Sequence, residues 1–361
     1  MRLRDRDAPV TSEGLIFRVY GYDHPEDAYF CDLEYASEHI YRSKETRAIR
    51  VGPRGRFYKF YADGGLRFVE ERYSQYTIWH EALRRQLVGV HGKQIAEVHK
   101  PDERLQEILR ESQDPLMEAV IELLDLIAEH STLRPRDFGV FGSLLHGFHS
   151  PKHSDIDLII YGVKPLKELR ETLNTLYGGA PLRNEFESWT PEMPPYHWRF
   201  RLYPKCEYGW YQRRKLIYAV YDSRSLKRTV KVEFEPVRLW SEIKNEYPET
   251  ERIRSLGMVE AWFRVLSDEE AGFMPAIYPI EVERIDCEVD PGDVRRIVSY
   301  VEEFRLQLFE GERGYVRGIL EEVEMRSGAF YQITLSRCPD YYGQVLRLAE
   351  QPLLRIFKEE G

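Results

Sequence analysis

One segment, residues 141–161, constrains the fold more than any other part of the chain. It reads FGSLLHGFHSPKHSDIDLIIY, so Gly142 and Ser143 close a short apolar run, and Asp155 and Asp157 open a second one. Successive side chains of a β-strand point to opposite faces, so both aspartates should share one face and their apolar neighbours the other. The segment therefore predicts two strands joined through a glycine turn, with paired carboxylates at the head of the second strand.

The chemistry expected of this pair is the binding of a divalent metal ion. Two carboxylates on one face repel each other unless a positive charge lies between them, and hard oxygen ligands suit Mg²⁺. Gly142 leaves room for a phosphate to approach the backbone, and Ser143 can begin a helix whose free N–H groups attract anions. A phosphate site beside a two-carboxylate metal site is typical of phosphoryl or nucleotidyl transfer.

The composition is that of a soluble protein, and the 361 residues are enough for two or three domains with separate cores. The sequence contains no apolar run of about 18 residues, the length that a membrane span needs. The N-terminal residues MRLRDRDAPV lack the apolar stretch of a signal peptide. The cysteines form no CxxC pair, which argues against structural zinc and favours a reducing, cytoplasmic location.

The first region, residues 1–110, is rich in aromatic residues and in runs typical of strands. Asp63-Gly64-Gly65 is predicted to form a hairpin turn between two of these strands. Residues 79–87, WHEALRRQL, are predicted to form a short helix. The region contains no catalytic pattern, so we expect a β-rich domain whose role the sequence does not indicate.

Two further regions complete the predicted α+β organisation. Residues 111–268 alternate helices and strands, starting with a helix that Asp114 caps and Pro115 opens. Residues 269–361 consist mostly of short β-runs punctuated by glycine, which predicts a small β-barrel resembling an OB fold. The sequence therefore predicts a mixed-sheet core domain between an N-terminal β-rich domain and a C-terminal barrel.

A later strand in the middle region, KRTVKVEFEPVRL, offers a third carboxylate. Its alternation puts valine and phenylalanine on one face and Lys231, Glu233 and Glu235 on the other. Glu233 is the candidate that could complete a two-metal centre with Asp155 and Asp157, and Glu235 is the fallback. Taken alone, the alternation fits an ordinary solvent-exposed strand face better.

The net charge of −9 conceals two opposed regions. Residues 251–361 hold 22 Asp and Glu against 14 Lys and Arg, whereas residues 196–231 hold ten Lys and Arg against two acidic residues. The basic stretch also carries nine aromatic residues, among them Trp198, Tyr203 and Tyr211. Basic residues interleaved with aromatic ones suit phosphates and stacked bases; the alternative is a solvated surface over a small core.

Three histidines, His146, His149 and His153, lie between the glycine turn and the aspartates. A helical pair of histidines with a carboxylate could bind zinc, but Pro151 interrupts the spacing, so polar loop or capping roles are favoured. His130 lies near a predicted helix C-terminus, where a positive side chain interacts favourably with the helix dipole.

Gly142-Ser143, Asp155-Ile156-Asp157 and Val232-Glu233-Phe234 together resemble the signature of the polymerase-β-like nucleotidyltransferase superfamily. The strand Glu233-Phe234-Glu235-Pro236 is also similar to the third-carboxylate strand of archaeal CCA-adding enzymes, which favours Glu233 over Glu235. The whole chain further resembles uncharacterised archaeal nucleotidyltransferases, whose C-terminal parts have stretches like Val298-Ser299-Tyr300 and residues 316–321, VRGILE.

The resemblance implies a catalytic and metal-binding set of Asp155, Asp157 and Glu233, which would hold two Mg²⁺ ions, with Mn²⁺ as a substitute. A nucleoside triphosphate, such as ATP, would be the substrate, and pyrophosphate would leave. Gly142 and Ser143 would contact its phosphates, and basic residues are candidates for triphosphate or acceptor contacts: Arg213, Arg214 and Lys215. The glutamate at position 233 departs from the superfamily pattern, in which aspartate is commoner, and lengthens the reach to the metal.

Three functions are compatible with these patterns. The leading hypothesis is a Mg²⁺-dependent nucleotidyltransferase whose acceptor is an RNA or tRNA end, based on residues 196–231 and the likeness to CCA-adding enzymes. The second is an enzyme that adenylylates a protein or a small molecule, which would need no long basic track. The third is a non-catalytic RNA-binding or scaffold protein that keeps the fold, in which Asp155→Ala would leave function intact.

Overall fold

The computed structural model describes residues 2–61, 63–188, 200–336 and 341–350. Within them the chain divides into two compact units, one drawn from residues 1–183 and 219–247 and the other from residues 184–218 and 248–361. The expected boundaries at residues 110 and 268 both fall inside these units. The division into three domains therefore stays a prediction, whereas the α+β class is confirmed.

The N-terminal sheet of the first unit has eight strands, in the order β4-β5-β3-β2-β1-β8, with β7 pairing with β3 and β6 with β7. The strands are β1 (Ala8–Thr11), β2 (Leu15–Val19), β3 (Ala28–Ser37), β4 (Ile49–Gly52), β5 (Gly55–Lys59), β6 (Thr77–His80), β7 (Arg85–His91) and β8 (Ile95–His99). Helix α1 (Gly64–Arg72) packs on β3 of this sheet.

Two local predictions in this region are wrong. Asp63-Gly64-Gly65 starts helix α1, and glycine is needed at 65 because a Cβ there would lie 2.2 Å from the Leu33 carbonyl oxygen. Residues 79–87 belong to the β6–β7 hairpin, since β7 pairs with β3 and buries Val88 and Val90 in the sheet's core. Tertiary pairing thus overrides the helical propensity of the EALRR stretch.

The core sheet of the first unit has the order β11-β12-β13-β10-β9. Its strands are β9 (Phe138–Val140), β10 (Ile156–Tyr161), β11 (Leu182–Asn184), β12 (Tyr218–Ser223) and β13 (Arg228–Val237). Strand β10 is antiparallel to β9 and parallel to β13, so the two strands that carry the candidate carboxylates are neighbours running the same way.

The helices beside the core sheet are α2 (Pro101–Arg110), α3 (Pro115–Glu129), α4 (Gly142–Leu145) and α5 (Val163–Leu176). Helix α2 lies in the region that the sequence analysis expected to be β-rich. Asp114 caps α3 as predicted, because its Oδ1 accepts hydrogen bonds from the backbone N–H groups of Leu116 and Met117 at 2.8 and 3.2 Å. No helix in the described ranges has the length and apolar character needed to cross a membrane.

The N-terminal sheet and the core sheet share one hydrophobic core. Its members come from β1, β2, β3 and β5 on one side and from the core sheet and the α4 region on the other: Ala8, Val10, Ile16, Tyr35, Phe57, Phe141, Leu145, Phe148, Ile159, Tyr161 and Val237. Ile159 and Tyr161 lie on the Asp157 side of β10, because strand side chains alternate. The N-terminal sheet therefore covers part of the face that carries the carboxylates.

The second unit contains helix α6 (Lys205–Lys215) and a β-barrel. The barrel strands are β14 (Thr250–Val265), β15 (Ala276–Ile285), β16 (Val294–Ser299), β17 (Arg313–Met325), β18 (Gly328–Leu335) and β19 (Val345–Leu348). Pairing in the order β14-β15-β16-β18-β17 closes back on β14, and β19 adds to β17. Because β16 and β18 are parallel and the other pairs are antiparallel, the connectivity is that of an OB fold, and the predicted barrel is confirmed.

Candidate active site

The paired aspartates lie at the start of β10. Asp155 directly precedes the strand and is exposed, and Asp157 is its second residue and is half-buried. Ile156 and Leu158, which alternate with them, are completely buried on the opposite face. The structure therefore places the two carboxylates on one face of the strand.

Glu233 lies next to Asp157 on the adjacent strand. In the parallel pairing of β10 with β13, Asp157 is aligned with Glu233 and Ile159 with Glu235. Residues aligned in this way point to the same face, so Asp155, Asp157 and Glu233 project from one surface of two neighbouring strands.

Glu235, the fallback ligand, has its charge compensated inside the protein. Its Oε2 accepts a hydrogen bond of 2.6 Å from Arg6, whose side chain is only 1% exposed. Asp5, also buried, lies 3.8 Å from the Arg6 Nε. To bind a metal ion, Glu235 would have to share its carboxylate with Arg6. The sequence carried no sign of Arg6, because it approaches from the N-terminal segment.

Gly142 lies directly against the Asp157 carboxylate. Its φ is +58°, and a Cβ there would lie 2.0 Å from Asp157 Oδ2. The preceding amide of Phe141 donates to the Asp157 carbonyl oxygen at 2.8 Å, which fixes the turn to β10. Ser143 is the second residue of α4, and its carbonyl oxygen accepts from the Phe148 N–H at 2.8 Å. The glycine turn and the carboxylates therefore form one local structure, as predicted.

Electrostatics distinguish the two aspartates. Burial raises the pKa of Asp157 to about 6, and the positive charge of Lys59 opposes this increase. Asp155 is exposed as a residue, but neighbouring protein atoms partly desolvate its carboxylate and raise its pKa, against the lowering effects of Lys231 and Arg228. Additional positive charge at this face would favour the ionised form of both groups.

Arg228 positions the loop that carries Asp155. Its guanidinium donates to the carbonyl oxygens of Pro151 and Ser154, at 3.1 and 2.6 Å. These bonds tie the start of β13 to the residue just before Asp155. Arg228 therefore has a structural role in aligning the two carboxylate strands.

The positive charge of Lys59 lowers the pKa of Asp157, and the sequence reasoning did not identify this residue. It is the last residue of β5, is aligned with Tyr35 of β3, and lies on the face that packs against the core sheet. In the strand GRFYK the buried Phe57 shares this face, because residues two apart point the same way. A lysine on the apolar face of a strand is the signal that could have revealed it.

The predicted basic contacts lie on α6, in the second compact unit. Lys215 is completely buried, and its Nζ donates to the Glu303 carbonyl oxygen at 2.7 Å. Arg214 pairs with Glu312 and lies over the rings of Trp210 and Phe309, at 4.5 and 4.7 Å from their centroids.

Arg213, the remaining one of the three predicted basic contacts, is exposed. Arg214 and Lys215 make polar contacts within their own unit. Arg213, in contrast, is exposed to solvent and could contact a ligand. The three residues therefore have different surroundings although they are consecutive in sequence.

Two aromatic residues of the basic stretch are core residues. Tyr203 and Tyr211 are completely buried, with ring centroids 5.7 Å apart, and the Tyr211 hydroxyl accepts from the Leu348 N–H at 2.7 Å. Trp198 and Arg199 lie outside the described residues. Tyr203 and Tyr211 therefore fit the alternative considered from the sequence, in which this stretch covers a small core. Buried in this way, they cannot also stack against bases.

Two of the three loop histidines, His146 and His149, have protein partners. His149 Nε2 lies 2.7 Å from Asp114 Oδ2, and His146 Nδ1 lies 2.8 Å from His99 Nδ1. At the end of α3, His130 Nδ1 lies 2.9 Å from the Leu126 carbonyl oxygen, in keeping with the expected structural role. These contacts agree with the polar loop and capping roles favoured from the sequence.

The carboxylate set has the chemistry that a hard divalent cation prefers. Asp155, Asp157 and Glu233 offer oxygen donors from one surface, and Gly142 lies against the Asp157 carboxylate. In the part of the chain that the structure describes, no three His, Cys, Asp or Glu side chains converge closely enough to form a metal site by themselves. An ion held by these carboxylates would need further ligands, such as substrate phosphates and water.

Comparison with known proteins agrees with this geometry. Residues 120–221 match the model of the nucleotidyltransferase domain, a range that includes the glycine turn and both aspartates and stops before Glu233. The chain is 31% identical over 350 residues to Uncharacterized protein MJ1086 of Methanocaldococcus jannaschii, covering 92% of this chain and 94% of that relative. No solved structure matches the chain.

Proposed function

We propose, from the premise that this chain belongs to the nucleotidyltransferase family, that it is a Mg²⁺-dependent enzyme that uses Asp155, Asp157 and Glu233. The nucleotidyltransferase domain implies transfer of a nucleoside monophosphate from a nucleoside triphosphate. The observation that carries the proposal is the alignment of the three carboxylates on adjacent parallel strands, with Gly142 against Asp157.

Each residue has a defined part in this proposal. Asp155 and Asp157 would hold Mg²⁺, and Glu233 would complete the set on the acceptor side. When bound, the metal would offset the triphosphate charge and activate the acceptor hydroxyl for in-line attack on the α-phosphate. Gly142 and Ser143 would let the phosphates approach the backbone. Glu233 is proposed as the third ligand, and Glu235 would remain paired with Arg6.

We propose an RNA or tRNA end as the acceptor. The strand Glu233–Pro236 is similar to that of archaeal CCA-adding enzymes. The barrel of the second unit does not add to this support, because the acidity of residues 251–361 disfavours an extended phosphate-binding surface. Exposed basic residues of the 201–231 stretch supply positive charge for a phosphate backbone: Arg201, Arg213, Arg224, Lys227 and Lys231.

A second candidate is adenylylation of a protein or a small molecule. Burial of Tyr203 and Tyr211 and the internal use of Arg214 and Lys215 reduce the part of the basic stretch that could follow a nucleic-acid strand. A compact acceptor needs no such track, so these contacts favour it.

The test is a transfer assay with α-labelled nucleoside triphosphates, Mg²⁺ or Mn²⁺, and total RNA. The variants Asp155→Ala and Asp157→Ala are run beside the wild type. Label that enters RNA only with the wild type would support transfer to RNA. Label that enters protein or a small molecule instead would support the second candidate.

The scaffold hypothesis predicts a different result in the same assay. Absence of transfer by a folded wild-type protein, with either metal and with every acceptor supplied, would overturn the enzymatic proposal. A cellular function that persists in Asp155→Ala would point the same way, because a scaffold does not use the carboxylate.

A further inference from the structure

A strongly basic hairpin lies at one end of the N-terminal sheet. Strand β4 is the last strand in the sheet order and pairs with β5 through the turn at Pro53-Arg54. We call residues 42–56 the basic hairpin, because they hold six Lys and Arg against a single acidic residue, Glu45. Five of the six cations are exposed: Arg42, Lys44, Arg47, Arg54 and Arg56. In a chain of net charge −9, this local excess of positive charge favours an anionic partner.

The outer face of the basic hairpin combines these cations with apolar and aromatic groups. Val51 is aligned with Arg56 across the two strands, and Ile49 points the same way because it lies two residues before Val51. Val51 is 62% exposed. The Arg47 guanidinium lies over the ring of Tyr61, at 4.5 Å from its centroid. Rings and cations side by side suit the bases and phosphates of a single-stranded nucleic acid.

Nearby carboxylates neutralise only part of the positive charge. Three of the arginines lie near a glutamate at the surface: Arg47 near Glu45, Arg54 near Glu97 and Arg42 near Glu38. Surface ion pairs of this kind contribute only about 0–1 kcal/mol each. A guanidinium also has five N–H donors, so an arginine that keeps its carboxylate can still bind a phosphate.

The basic hairpin packs against the segment that joins the glycine turn to the aspartates. A Cβ at Gly52 would lie 2.7 Å from the Phe148 ring and 3.0 Å from the Gly147 carbonyl oxygen. The ring centroids of Phe57, on β5, and Phe148 are 5.1 Å apart. The Phe148 N–H in turn donates to the Ser143 carbonyl oxygen at 2.8 Å. Direct contacts therefore connect the hairpin to helix α4.

A chain of polar contacts makes a second connection between the basic hairpin and α4. Arg54 pairs with Glu97 of β8, and Glu97 Oε1 lies 3.4 Å from His99 Nε2. His99 Nδ1 lies 2.8 Å from Nδ1 of His146, the residue that directly follows α4. Two separate connections thus hold the hairpin beside the glycine turn, so a strand bound along the hairpin lies next to the candidate active site.

We propose that the basic hairpin binds the phosphate backbone of a single-stranded RNA acceptor and holds it beside the candidate active site. A nucleic-acid strand carries one phosphate per nucleotide, so it can satisfy several of these cations at once. The inference rests on the proposed function, because it supplies the acceptor surface of the same reaction. It gives the N-terminal sheet, which lies outside the matched domain, a part in acceptor binding.

The test compares the full-length wild type with a triple variant that removes three exposed cations of the hairpin: Lys44→Gln, Arg54→Gln and Arg56→Gln. Binding of a short single-stranded RNA of mixed sequence is measured by fluorescence anisotropy over a range of salt concentrations. The variant should bind RNA at least about tenfold more weakly at low salt, and the slope of log affinity against log salt should fall by about 2. Binding of a non-hydrolysable ATP analogue with Mg²⁺ should be unchanged, because the hairpin is proposed to hold the acceptor.

A second hairpin of the same sheet supplies the matched control. Strand β5 pairs with β3 at residues 35–37, whereas β7 pairs with it at residues 28–30, so the β6–β7 hairpin lies towards the opposite end of β3. The control triple variant removes exposed cations in and just after this second hairpin: Arg84→Gln, Arg85→Gln and Lys93→Gln. It loses the same net charge and should keep the RNA affinity of the wild type within about twofold.

Several results would overturn the inference. Equal loss of RNA affinity in the two triple variants would show an effect of net charge alone. Unchanged RNA affinity in the hairpin variant would also overturn it, and loss of transfer to a protein in that variant would assign the hairpin to a protein acceptor. A lower melting temperature together with weaker binding of the ATP analogue would assign the hairpin a structural role instead.

The transfer assay separates failure of the inference from failure of the proposed function. A wild type that transfers label but binds no RNA would overturn the inference and leave nucleotidyl transfer standing. A folded wild type that transfers label to no acceptor would overturn the proposed function itself.

Discussion

At the scale of single residues, Gly142 combines backbone conformation with site geometry. Its positive φ and its approach to Asp157 both exclude a side chain. Gly147, five residues later, also has a positive φ of +67°, but a Cβ there would meet only Pro53, at 3.4 Å. The two glycines therefore separate the effect of backbone strain from the effect of disturbing the carboxylate.

We predict that Gly142→Ala and Gly147→Ala both lower the free energy of unfolding by about 1–2 kcal/mol, because both place alanine in the left-handed region. Only Gly142→Ala should also slow nucleotidyl transfer, by at least about 100-fold, because the added methyl group would displace the Asp157 carboxylate. Denaturant unfolding and the transfer assay measure the two effects. Equal activity loss in both variants would contradict the assigned role of Gly142.

Glu233 is proposed as a metal ligand, whereas Glu235 forms an ion pair with Arg6. Matched glutamine substitutions should distinguish these two roles. Glu233→Gln should reduce transfer strongly with little change in stability, because it removes a proposed metal ligand from a half-buried position. Glu235→Gln breaks the buried pair with Arg6 and should cost about 3 kcal/mol of stability. Transfer rates and urea unfolding of the two variants check this. The reverse pattern would make Glu235 the third ligand.

Asp7 supplies a prediction for pH dependence. Burial raises its pKa to about 7, although its carboxylate accepts a hydrogen bond from the Arg4 N–H at 3.0 Å. The unfolded chain releases this proton near its ordinary pKa, so the stability conferred by the neutral group is fully present below that value and is lost as pH rises to about 7. The loss amounts to about 4 kcal/mol.

Asp7→Asn keeps the acceptor and removes the titration. We therefore expect the variant to gain stability over the wild type as pH rises from 4 to 8, with the difference complete just above about pH 7. Urea unfolding across this range measures it. Asp125→Asn, on an exposed part of α3, is the control and should follow the wild type. A constant difference between Asp7→Asn and wild type at all pH values would contradict the prediction.

At the scale of elements, α6 divides its basic residues between packing and surface. Arg214→Met should lower the free energy of unfolding by about 2 kcal/mol, because it leaves Glu312 without its partner and removes two ring contacts. Arg213→Met should change stability by less than about 0.5 kcal/mol and reduce affinity for a nucleic-acid acceptor. Thermal unfolding of both variants and the salt dependence of their binding to a nucleic-acid acceptor test these expectations. Equal stability losses would contradict the division.

Sequence patterns predict the elements that hold the aspartates because local rules determine them. Alternation defines β10 and β13, and the Asp114 cap with its following proline defines the start of α3. The same rules fail for residues 79–87, where pairing of β7 with β3 outweighs helix propensity. They also fail at Asp63-Gly64-Gly65, where close packing of a helix on β3, rather than a turn, requires glycine.

At the scale of the whole molecule, the N-terminal sheet is part of the structure around the candidate site. Its residues share a hydrophobic core with the core sheet, and the segment before β1 brings Arg6 to Glu235 on β13. No local pattern indicates this arrangement, because the contacts join residues more than 90 positions apart. The carboxylates could therefore be predicted from the sequence, whereas the cations that accompany them could not.

The most direct test of the account is a crystal structure of the full chain with Mn²⁺ and a non-hydrolysable nucleoside triphosphate. We predict anomalous Mn²⁺ signal between Asp155 and Asp157, with Glu233 on the same face and the triphosphate beside Gly142. Nucleotide and Mn²⁺ bound away from these carboxylates, in a protein active in transfer, would contradict the assignment of this site as the catalytic centre.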